Sequence, residues 1–438
     1  MNIILIKAVQ LILSLSILVI IHECGHFFFA KIFKVRVEKF YLFFNPWFSL
    51  FKYKPKWSET EYGVGWVPLG GYVKISGMID ESMDKEALAQ PPQPWEFRIK
   101  PAWQRLLIMV GGVLMNFILA FLIYSMVVFA WGEGYLPVKN VKMGYAFNTM
   151  AQNAGFQNGD IPLTADGVTI ERIDTKTLFA IAEAKEVTVL RKGEIVAIQL
   201  AADFEKVLFE KEYPFIALYP FVIKQIVGNP AKNAGLQVGD SLVGINGEEN
   251  LSAPEIQKLL AENTEKEITI DLYRKNQLLS IPITPNESGK INVGIKSPSD
   301  IYETVRVKYN FISAFPAGIK IGLKTIESYL SQFKYLFSKE GAKSVGGFGA
   351  IGNLFPERWN WADFWYMTAL LSIILGVMNL LPIPALDGGH VMFLLYEVVS
   401  GRKPNEKLME YAQIAGMIFL LLLVLYANGN DIFRFLNK

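Results

Sequence analysis

The residues best suited to chemistry are three histidines, and in 438 residues there are no others. His22 and His26 frame a His-Glu-x-x-His pattern, and His390 lies in a second apolar segment far along the chain. Histidines four positions apart share one helix face, so both can bind one Zn²⁺. The intervening Glu23 is then placed to take a proton from a water whose pKa the metal lowers. The spacing therefore predicts zinc-dependent hydrolysis.

The third metal ligand is less directly indicated by the sequence. A catalytic zinc takes three protein ligands and leaves one position open. The residues leave two choices for this ligand, either His390 or a carboxylate. Among the carboxylates, Asp387 is the best placed. Pro382 and Pro384 break the preceding helix and free the backbone to bend Asp387 toward the first helix. Asn379, eight residues before Asp387, is positioned to donate a hydrogen bond to substrate or to a developing oxyanion.

The apolar residues occur in blocks that indicate a membrane protein. The chain is 52% hydrophobic and 19% charged. A spanning helix needs about 20 mostly apolar residues, and ionisable groups at that depth are usually functional. We interpret the first block as a retained helix, since no small-x-small cleavage site follows it. The predicted spans are residues 3–33, 103–131, 361–381 and 411–426.

The charges predict the membrane topology and the class of partner, and the cysteine count limits the disulfides. Lys and Arg residues follow the first span, precede the second and lie between the third and fourth, which predicts that these loops are cytoplasmic. The N-terminus, residues 132–360 and the C-terminus are then outside, and His22 and Asp387 come to the same depth near the cytoplasmic face. The net charge of +2 gives no drive toward nucleic acid, so no such partner is expected. A single cysteine excludes an intrachain disulfide framework.

Residues 35–97 read as more than a linker. Aromatic and β-branched residues punctuated by glycines predict β-hairpins, apolar enough to dip into the membrane. Non-helical backbone at that depth must be buried in protein or line a cavity. The acidic, proline-rich residues 80–96 predict an exposed loop.

An internal repeat with an offset of 80 residues occupies the outer region. Its pattern resembles the PDZ fold of bacterial envelope proteases, and it predicts two tandem domains. The first copy departs from the pattern at Pro162 and Thr164, where the strand should be more apolar. The repeated pairs are Ala154-Gly155 with Ala234-Gly235, Gly159-Asp160 with Gly239-Asp240, and Asp166-Gly167 with Asn246-Gly247.

The segment after the repeats has two further features. Apolar residues at spacings of three and four over 315–337 predict an amphipathic helix on the outer membrane surface or on the domain above it. A glycine-rich stretch follows at 346–349. The predicted division of the chain is 1–34, 35–97, 98–131, 132–215 (first PDZ domain), 216–300 (second PDZ domain), 301–360, 361–400 and 401–438.

Taken together, the His22–His26 motif and the run Asn-Leu-Leu-Pro-Ile-Pro-Ala-Leu-Asp-Gly-Gly at 379–389 resemble the site-2 protease family of intramembrane zinc metalloproteases. The tandem PDZ pattern between the second and third spans fits a bacterial branch of that family, and the resemblance covers essentially the whole chain. The fold it implies is a polytopic α-helical membrane protein with four transmembrane helices. A membrane-associated β-hairpin loop and two inserted periplasmic PDZ domains of the α+β class complete it.

The resemblance also implies roles for individual residues. One Zn²⁺ would be held by three ligands, with Asp387 rather than His390 as the third, Glu23 would be the catalytic acid and base, and Asn379 would assist the transition state. The β-loop would hold substrate as an added strand, with two prolines as further substrate contacts. The residues concerned are His22, His26 and Asp387 for the metal, Gly71, Tyr72, Val73 and Lys74 in the β-loop, and Pro382 and Pro384. The family pattern would have a Gly-Pro-Ile type sequence where this chain has Gly346–Gly349.

The implied activity is cleavage of single-pass membrane proteins in a bacterial inner membrane. Substrates of the implied type are anti-sigma factors and remnant signal peptides, and the PDZ pair would act as a size filter or capture a new C-terminal carboxylate. Two alternatives from other classes stay open on the residues alone. One is a membrane metal transporter with a His and Asp relay, and the other is an inactive PDZ-bearing membrane scaffold.

Overall fold

The computed structural model describes residues 3–68, 70–78, 90–210, 212–336 and 346–436. Most of the predicted loop 80–96 and the end of the predicted helix 315–337 lie outside these ranges. The chain forms two compact units, the first made of Met1–Gly132 with Lys308–Lys438 and the second of Glu133–Val307.

The described helices are α1 Ile3–Ile32, α2 Ala102–Trp131, α3 Thr149–Asn153, α4 Thr175–Glu183, α5 Asn229–Asn233, α6 Ala253–Glu262, α7 Pro298–Ile301, α8 Phe311–Leu336, α9 Phe348–Asn353, α10 Trp361–Leu380, α11 Asp387–Ser400 and α12 Glu406–Leu436. The described strands are β1 Val37–Leu42, β2 Phe51–Tyr53, β3 Glu61–Val64, β4 Tyr72–Ile75, β5 Glu133–Tyr135, β6 Tyr145–Phe147, β7 Ile161–Ala165, β8 Val168–Thr169, β9 Glu186–Arg191, β10 Glu194–Gln199, β11 Phe215–Ala217, β12 Phe221–Ile226, β13 Ser241–Ile245, β14 Glu248–Glu249, β15 Ile268–Arg274, β16 Gln277–Ile283, β17 Val293–Ile295 and β18 Val305–Val307.

Among the described residues, four helices are long and apolar enough to cross a membrane. They are α1, α2, α10 and the segment Lys407–Phe433 of α12. The predicted number and placement of the spans are confirmed, although the fourth is longer than the 16 residues of 411–426. The chain is therefore an integral membrane protein.

Helix α2 is the centre of the first unit, because α1, α8, α10 and α11 all pack against it. Helix α1 approaches it at a glycine contact: a Cβ atom on Gly25 would lie 2.2 Å from the carbonyl oxygen of Gly111. Small residues of this kind let membrane helices bring their backbones together. The contact places the middle of α2 directly against the His-Glu-x-x-His turn of α1.

The amphipathic helix predicted at 315–337 exists as α8, but its expected location was wrong. It packs along α2, where Gly318 lies against Ser125 and Gly322 against the ring of Phe121. Its apolar residues Ile321, Ile326 and Tyr329 join the core formed by α2 and α10. Two glycines four residues apart thus select a helix as the packing partner.

The β-loop forms one mixed four-stranded sheet in the order β2-β3-β1-β4. The consecutive strands β2 and β3 pair antiparallel, as the predicted hairpins require. Strand β1 pairs in parallel with β3 and antiparallel with β4, so the prediction of hairpins was wrong for the rest of the sheet. Strand β4 lies at an edge, with β1 as its partner among the described strands. Large apolar side chains around β2 and β3 are exposed: Trp47, Phe48, Leu50, Phe51, Tyr53, Trp57 and Trp66.

The second unit contains the two repeats, each with its own apolar core. In the second repeat, β16-β15-β13-β12-β17 form one sheet with β14 attached to β13. In the first, β10-β9-β7-β8 form one sheet, and β11-β6 are a separate pair. The repeated turns have the same geometry, since Asp166 and Asn246 both have positive φ, 47° and 50°.

The glycine-rich stretch leads into the short helix α9. The Asp431 carboxylate of α12 accepts hydrogen bonds from the backbone N–H groups of Gly347 and Ala350, and Asn428 accepts one from Phe348. A Cβ atom on Gly347 would lie 2.5 Å from Asn428 Oδ1. The glycines therefore allow side chains of α12 to cap the N-terminus of α9.

Candidate metal centre

The two histidines of the site lie one turn apart on α1, and both are buried. Their rings meet edge to face, with centroids 4.8 Å apart. The close approach of α2 shields them, since a Cβ atom on Gly112 would lie 2.4 Å from His26 Nε2 and 2.7 Å from His22 Cε1. Glycine at this position therefore leaves the space that both rings occupy.

A tight turn brings Asp387 to the histidines. Helix α10 ends at Leu380, and α11 begins at Asp387 itself. Between them Ala385 has a positive φ of 76°, a strained conformation for a residue with a side chain. Gly388 is required next, because a Cβ atom there would lie 2.0 Å from the carbonyl oxygen of Leu381. This folded-back turn directs the carboxylate toward α1.

Three ligand atoms converge at this point. His22 Nε2 and His26 Nε2 are 3.2 Å apart, and Asp387 Oδ2 lies 3.1 Å and 3.4 Å from them, respectively. In a tetrahedral zinc site with metal–ligand distances of about 2.0–2.1 Å, neighbouring ligand atoms are about 3.3–3.4 Å apart. The three separations fit three corners of such a tetrahedron.

The surroundings of Asp387 support the same conclusion. Its Oδ2 atom is shielded from solvent, yet no donor among the described residues is aligned to hydrogen-bond it. A buried acceptor without a donor is unfavourable unless something else compensates its charge. A cation held jointly with His22 and His26 would do so, and two imidazoles with one carboxylate are a donor set that suits Zn²⁺.

Helix α2 supplies the partners of the outer ring nitrogens. His26 Nδ1 lies 2.8 Å from the carbonyl oxygen of Ile108, and His22 Nδ1 lies 3.1 Å from the side-chain amide of Asn116. Such partners fix the tautomer and the orientation of a metal-ligating histidine.

Glu23 faces the β-loop. Its carboxylate accepts a hydrogen bond from the backbone N–H of Val73 in β4. Gly71 makes this approach possible, because a Cβ atom there would lie 2.7 Å from Val19 and 3.6 Å from Glu23 Cγ. The predicted base therefore lies between the cluster of ligand atoms and an edge strand.

The other predicted site residues are placed as follows. Asn379 Nδ2 lies 3.5 Å from His22 Nε2, at the limit of hydrogen bonding. Pro382 is exposed, whereas Pro384 packs against Gly416 of α12. His390 is buried in α11, but the cluster that the described residues form contains Asp387 instead.

Sequence reasoning did not find several supporting contacts. The roles of Asn116, of the Ile108 carbonyl and of the Val73 N–H were missed, as was the ion pair between Arg105 of α2 and Glu397 of α11. Asn116 carried a usable signal, because a polar residue inside an apolar helix is costly without a partner. The two backbone groups left no trace in the side-chain pattern.

Comparison with known proteins yields one family and several full-length relatives. The model of peptidase family M50 matches residues 10–423. A Haemophilus influenzae protein named regulator of sigma E protease is 30% identical, covering 97% of this chain and 98% of the relative. A Yersinia pestis protein named protease RseP is 28% identical, covering 97% of both. A Neisseria meningitidis protein whose name carries the words zinc metalloprotease is 27% identical, covering 97% and 98%.

Proposed function

The chain belongs to peptidase family M50, and from this premise we propose that it is an intramembrane zinc metalloendopeptidase that cuts the transmembrane segments of single-pass proteins. The observation that carries the proposal is the meeting of His22, His26 and Asp387, contributed by an apolar helix and a distant turn. Full-length relatives named as proteases support the same activity.

The proposed mechanism assigns one task to each group. His22, His26 and Asp387 would hold one zinc, which when bound supplies Lewis-acid activation of water and of the scissile carbonyl. Glu23, oriented by the Val73 N–H, takes a proton from the attacking water and delivers it to the leaving nitrogen. Asn379 donates its amide hydrogen to the substrate oxygen, where negative charge develops.

Strand β4 is the proposed substrate platform. It is an edge strand, and an edge strand offers unpaired N–H and C=O groups to another chain. A substrate segment that unwinds and adds beside residues 71–74 would present its peptide bonds close to Glu23. Pro382 and Pro384, in the turn before Asp387, are proposed as further contacts.

The biological setting is proposed from the relatives and from charge placement. Names containing regulator of sigma E support substrates of the anti-sigma factor type, and remnant signal peptides share the single-pass topology. Basic loops support an inner-membrane protein whose active site is toward the cytoplasm. We interpret the two repeats as periplasmic PDZ domains that exclude substrates with bulky outer domains. The exposed aromatic side chains of the β-loop support its contact with lipid.

The test is cleavage of a truncated single-pass substrate by the full chain in nanodiscs. Glu23→Gln is expected to retain zinc but to lose activity by about 10²–10⁴-fold, the usual contribution of a general acid or base. Glu357→Gln, on an exposed loop, is the matched control and should behave as wild type. A chelator should abolish cleavage and added zinc restore it. Near wild-type cleavage by Glu23→Gln, or zinc flux into proteoliposomes without cleavage, would refute the proposal.

A further inference from the structure

Asn116 is the most deeply buried polar side chain beside the metal cluster. It lies in the middle of α2 and has no exposed surface. Its Nδ2 atom is 3.1 Å from His22 Nδ1, whereas its Oδ1 atom is buried without a hydrogen-bond partner among the described residues. Burying a polar group without a partner costs free energy. Because the amide is costly at this position of an apolar helix, its presence indicates that it has a role there.

The neighbouring histidine shows the arrangement that a metal ligand needs. The Nδ1 atom of His26 lies 2.8 Å from the carbonyl oxygen of Ile108, which can only accept. The hydrogen of His26 is thereby held on Nδ1, and the lone pair of Nε2 faces Asp387. A backbone carbonyl of α2 thus fixes the ligating tautomer of His26.

His22 requires the same arrangement to bind through Nε2. Its Nδ1 then carries the hydrogen and needs an acceptor, which an amide nitrogen is not. A half-turn of the Asn116 amide exchanges its oxygen and nitrogen with almost no change of shape. That rotation gives the orphaned oxygen a donor and gives the Nδ1 hydrogen of His22 an acceptor.

We propose that Asn116 is a positioning residue for the metal centre, whose amide oxygen accepts the Nδ1 hydrogen of His22 and so presents Nε2 to zinc. The proposal rests on the proposed zinc site but concerns a different residue and a different helix. Gly112, one turn earlier on α2, provides the access, because any side chain there would collide with the histidines. Helix α2 thereby orients both histidines, one through a main-chain carbonyl and one through a side chain.

The experiment measures zinc affinity of the full chain by competition with a chromogenic chelator. Asn116→Leu keeps the volume but offers no acceptor, and loss of an outer partner typically weakens metal binding by about 10–100-fold. Asn116→Asp keeps an acceptor in either orientation and should remain within about threefold of wild type by the same reasoning. Equal weakening in the two variants, or unchanged affinity in folded Asn116→Leu, would overturn the proposal.

Two further measurements separate positioning from packing. Ser372→Ala is the matched control, since the Ser372 hydroxyl donates a hydrogen bond of 2.7 Å to the backbone oxygen of Asn116, not to its side chain, at the same buried interface. It should leave zinc affinity unchanged. In the zinc-loaded wild type, ¹⁵N spectra of labelled histidine should show hydrogen on Nδ1 of His22. Hydrogen on Nε2 would refute the proposal even if Asn116→Leu does not fold. Zinc affinity and tautomer are read without cleavage, so they stand apart from a failure of the proposed activity.

Discussion

Aspartates with shielded carboxylate oxygens occur in both units, and the surroundings of these oxygens distinguish a structural role from a chemical one. In the second unit, Asp160 and Asp240 are each 1% exposed and fully hydrogen-bonded. Arg191 donates two hydrogen bonds of 2.7–2.8 Å to Asp160, and Arg274 donates two of the same lengths to Asp240. A backbone N–H donates a third hydrogen bond to each aspartate. In the first unit, Asp387 Oδ2 is shielded but meets two ring nitrogens without an aligned donor.

The two kinds of aspartate differ in whether the protein itself supplies hydrogen-bond donors to the carboxylate. Burial raises the pKa of Asp240, but hydrogen bonds from Arg274 and from the Gln237 N–H outweigh it, so the net pKa is lowered and the charge is retained. Its charge is neutralised by the protein itself. Among the described residues Asp387 has no arginine partner of this kind, and its carboxylate instead meets the two ring nitrogens with which it would share a metal. A satisfied buried carboxylate indicates a role in folding, and an unsatisfied one that points at other ligands indicates a site.

The largest expected effect separates the two kinds of aspartate. Asp387→Ala should lose zinc and slow proteolysis by about 10³-fold or more, because metal stabilisation of the transition state amounts to several kcal/mol. The metal-free variant should unfold within about 1 kcal/mol of metal-free wild type, since no hydrogen-bonded network is broken. Zinc content, cleavage rate and denaturation of the full chain check this. A large loss of metal-free stability would remove the contrast with the second unit.

The second effect is loss of stability without loss of metal. Asp240→Ala leaves the charge of Arg274 without its carboxylate partner and should destabilise the second repeat by about 2–4 kcal/mol, less than for a fully buried pair because the arginine is partly exposed. Amide hydrogen exchange over residues 221–295 measures this, and zinc content should not change. Asp160→Ala is the matched variant in the first repeat. A zinc deficit in either variant would contradict the distinction.

A smaller effect tests whether the two repeats are equivalent. Lysine keeps the charge but cannot bind both carboxylate oxygens and the nearby glycine carbonyl as arginine does. Arg191→Lys and Arg274→Lys should each cost about 1 kcal/mol in their own repeat. Amide hydrogen exchange on both variants should give losses of unfolding free energy that agree within about 0.5 kcal/mol. A larger difference between the two losses would show that only one of the Arg–Asp pairs is structurally important.

The smallest effect concerns the split sheet of the first repeat. In the second repeat, strands β12 and β13 pair antiparallel, and the N–H of Ile223 donates to the backbone oxygen of Asp240. Hydrogen-bonded pairs alternate along such a ladder, so the next one is Phe221 with Leu242. Pro162 occupies the position of Leu242 and has no N–H to donate to a partner strand, and the corresponding contact between β6 and the start of β7 is the single bridge of Tyr145 with Asp160. Pro162→Val should therefore join the two sheets.

The gain for Pro162→Val is expected to be below about 1 kcal/mol, because a new hydrogen bond is offset by the lost rigidity of proline. The measurement is exchange of the new amide at 162, which should be slow. Thr164→Val, two residues along the same strand, adds no donor and is the control. A freely exchanging amide at 162 would show that proline is not the cause of the split.

Much of the fold could be predicted because its signals are local. The spans follow from apolar length, and the repeat follows from glycines whose turns recur at a fixed offset. The parallel β1–β3 pair could not be predicted, because alternation within a strand does not specify which strand lies beside it. The partner of α8 was missed for a similar reason, although Gly318 and Gly322 were visible as a small-residue spacing.

The candidate site divides in the same way. His22, Glu23 and His26 follow from spacing within one helix, whereas the preference for Asp387 over His390 came from the resemblance. The contact of Asn116 with His22 depends on the rotation and depth of α2 against α1, which periodicity does not determine. Main-chain groups such as the Ile108 carbonyl are the same in every sequence and could be found only in the structure.

The glycine contact between α1 and α2 sets a mechanical tolerance for the whole centre. With a Cβ on Gly25 only 2.2 Å from the Gly111 oxygen, any side chain would push the helices apart by about 1 Å to restore van der Waals distance. Metal–ligand distances are held within about 0.2 Å. The backbone contact at Gly25 and Gly111 therefore fixes the distance between α1 and α2. Side-chain rotamers do not contribute to this contact, so neither a change of rotamer nor a change in the surrounding lipid alters the distance.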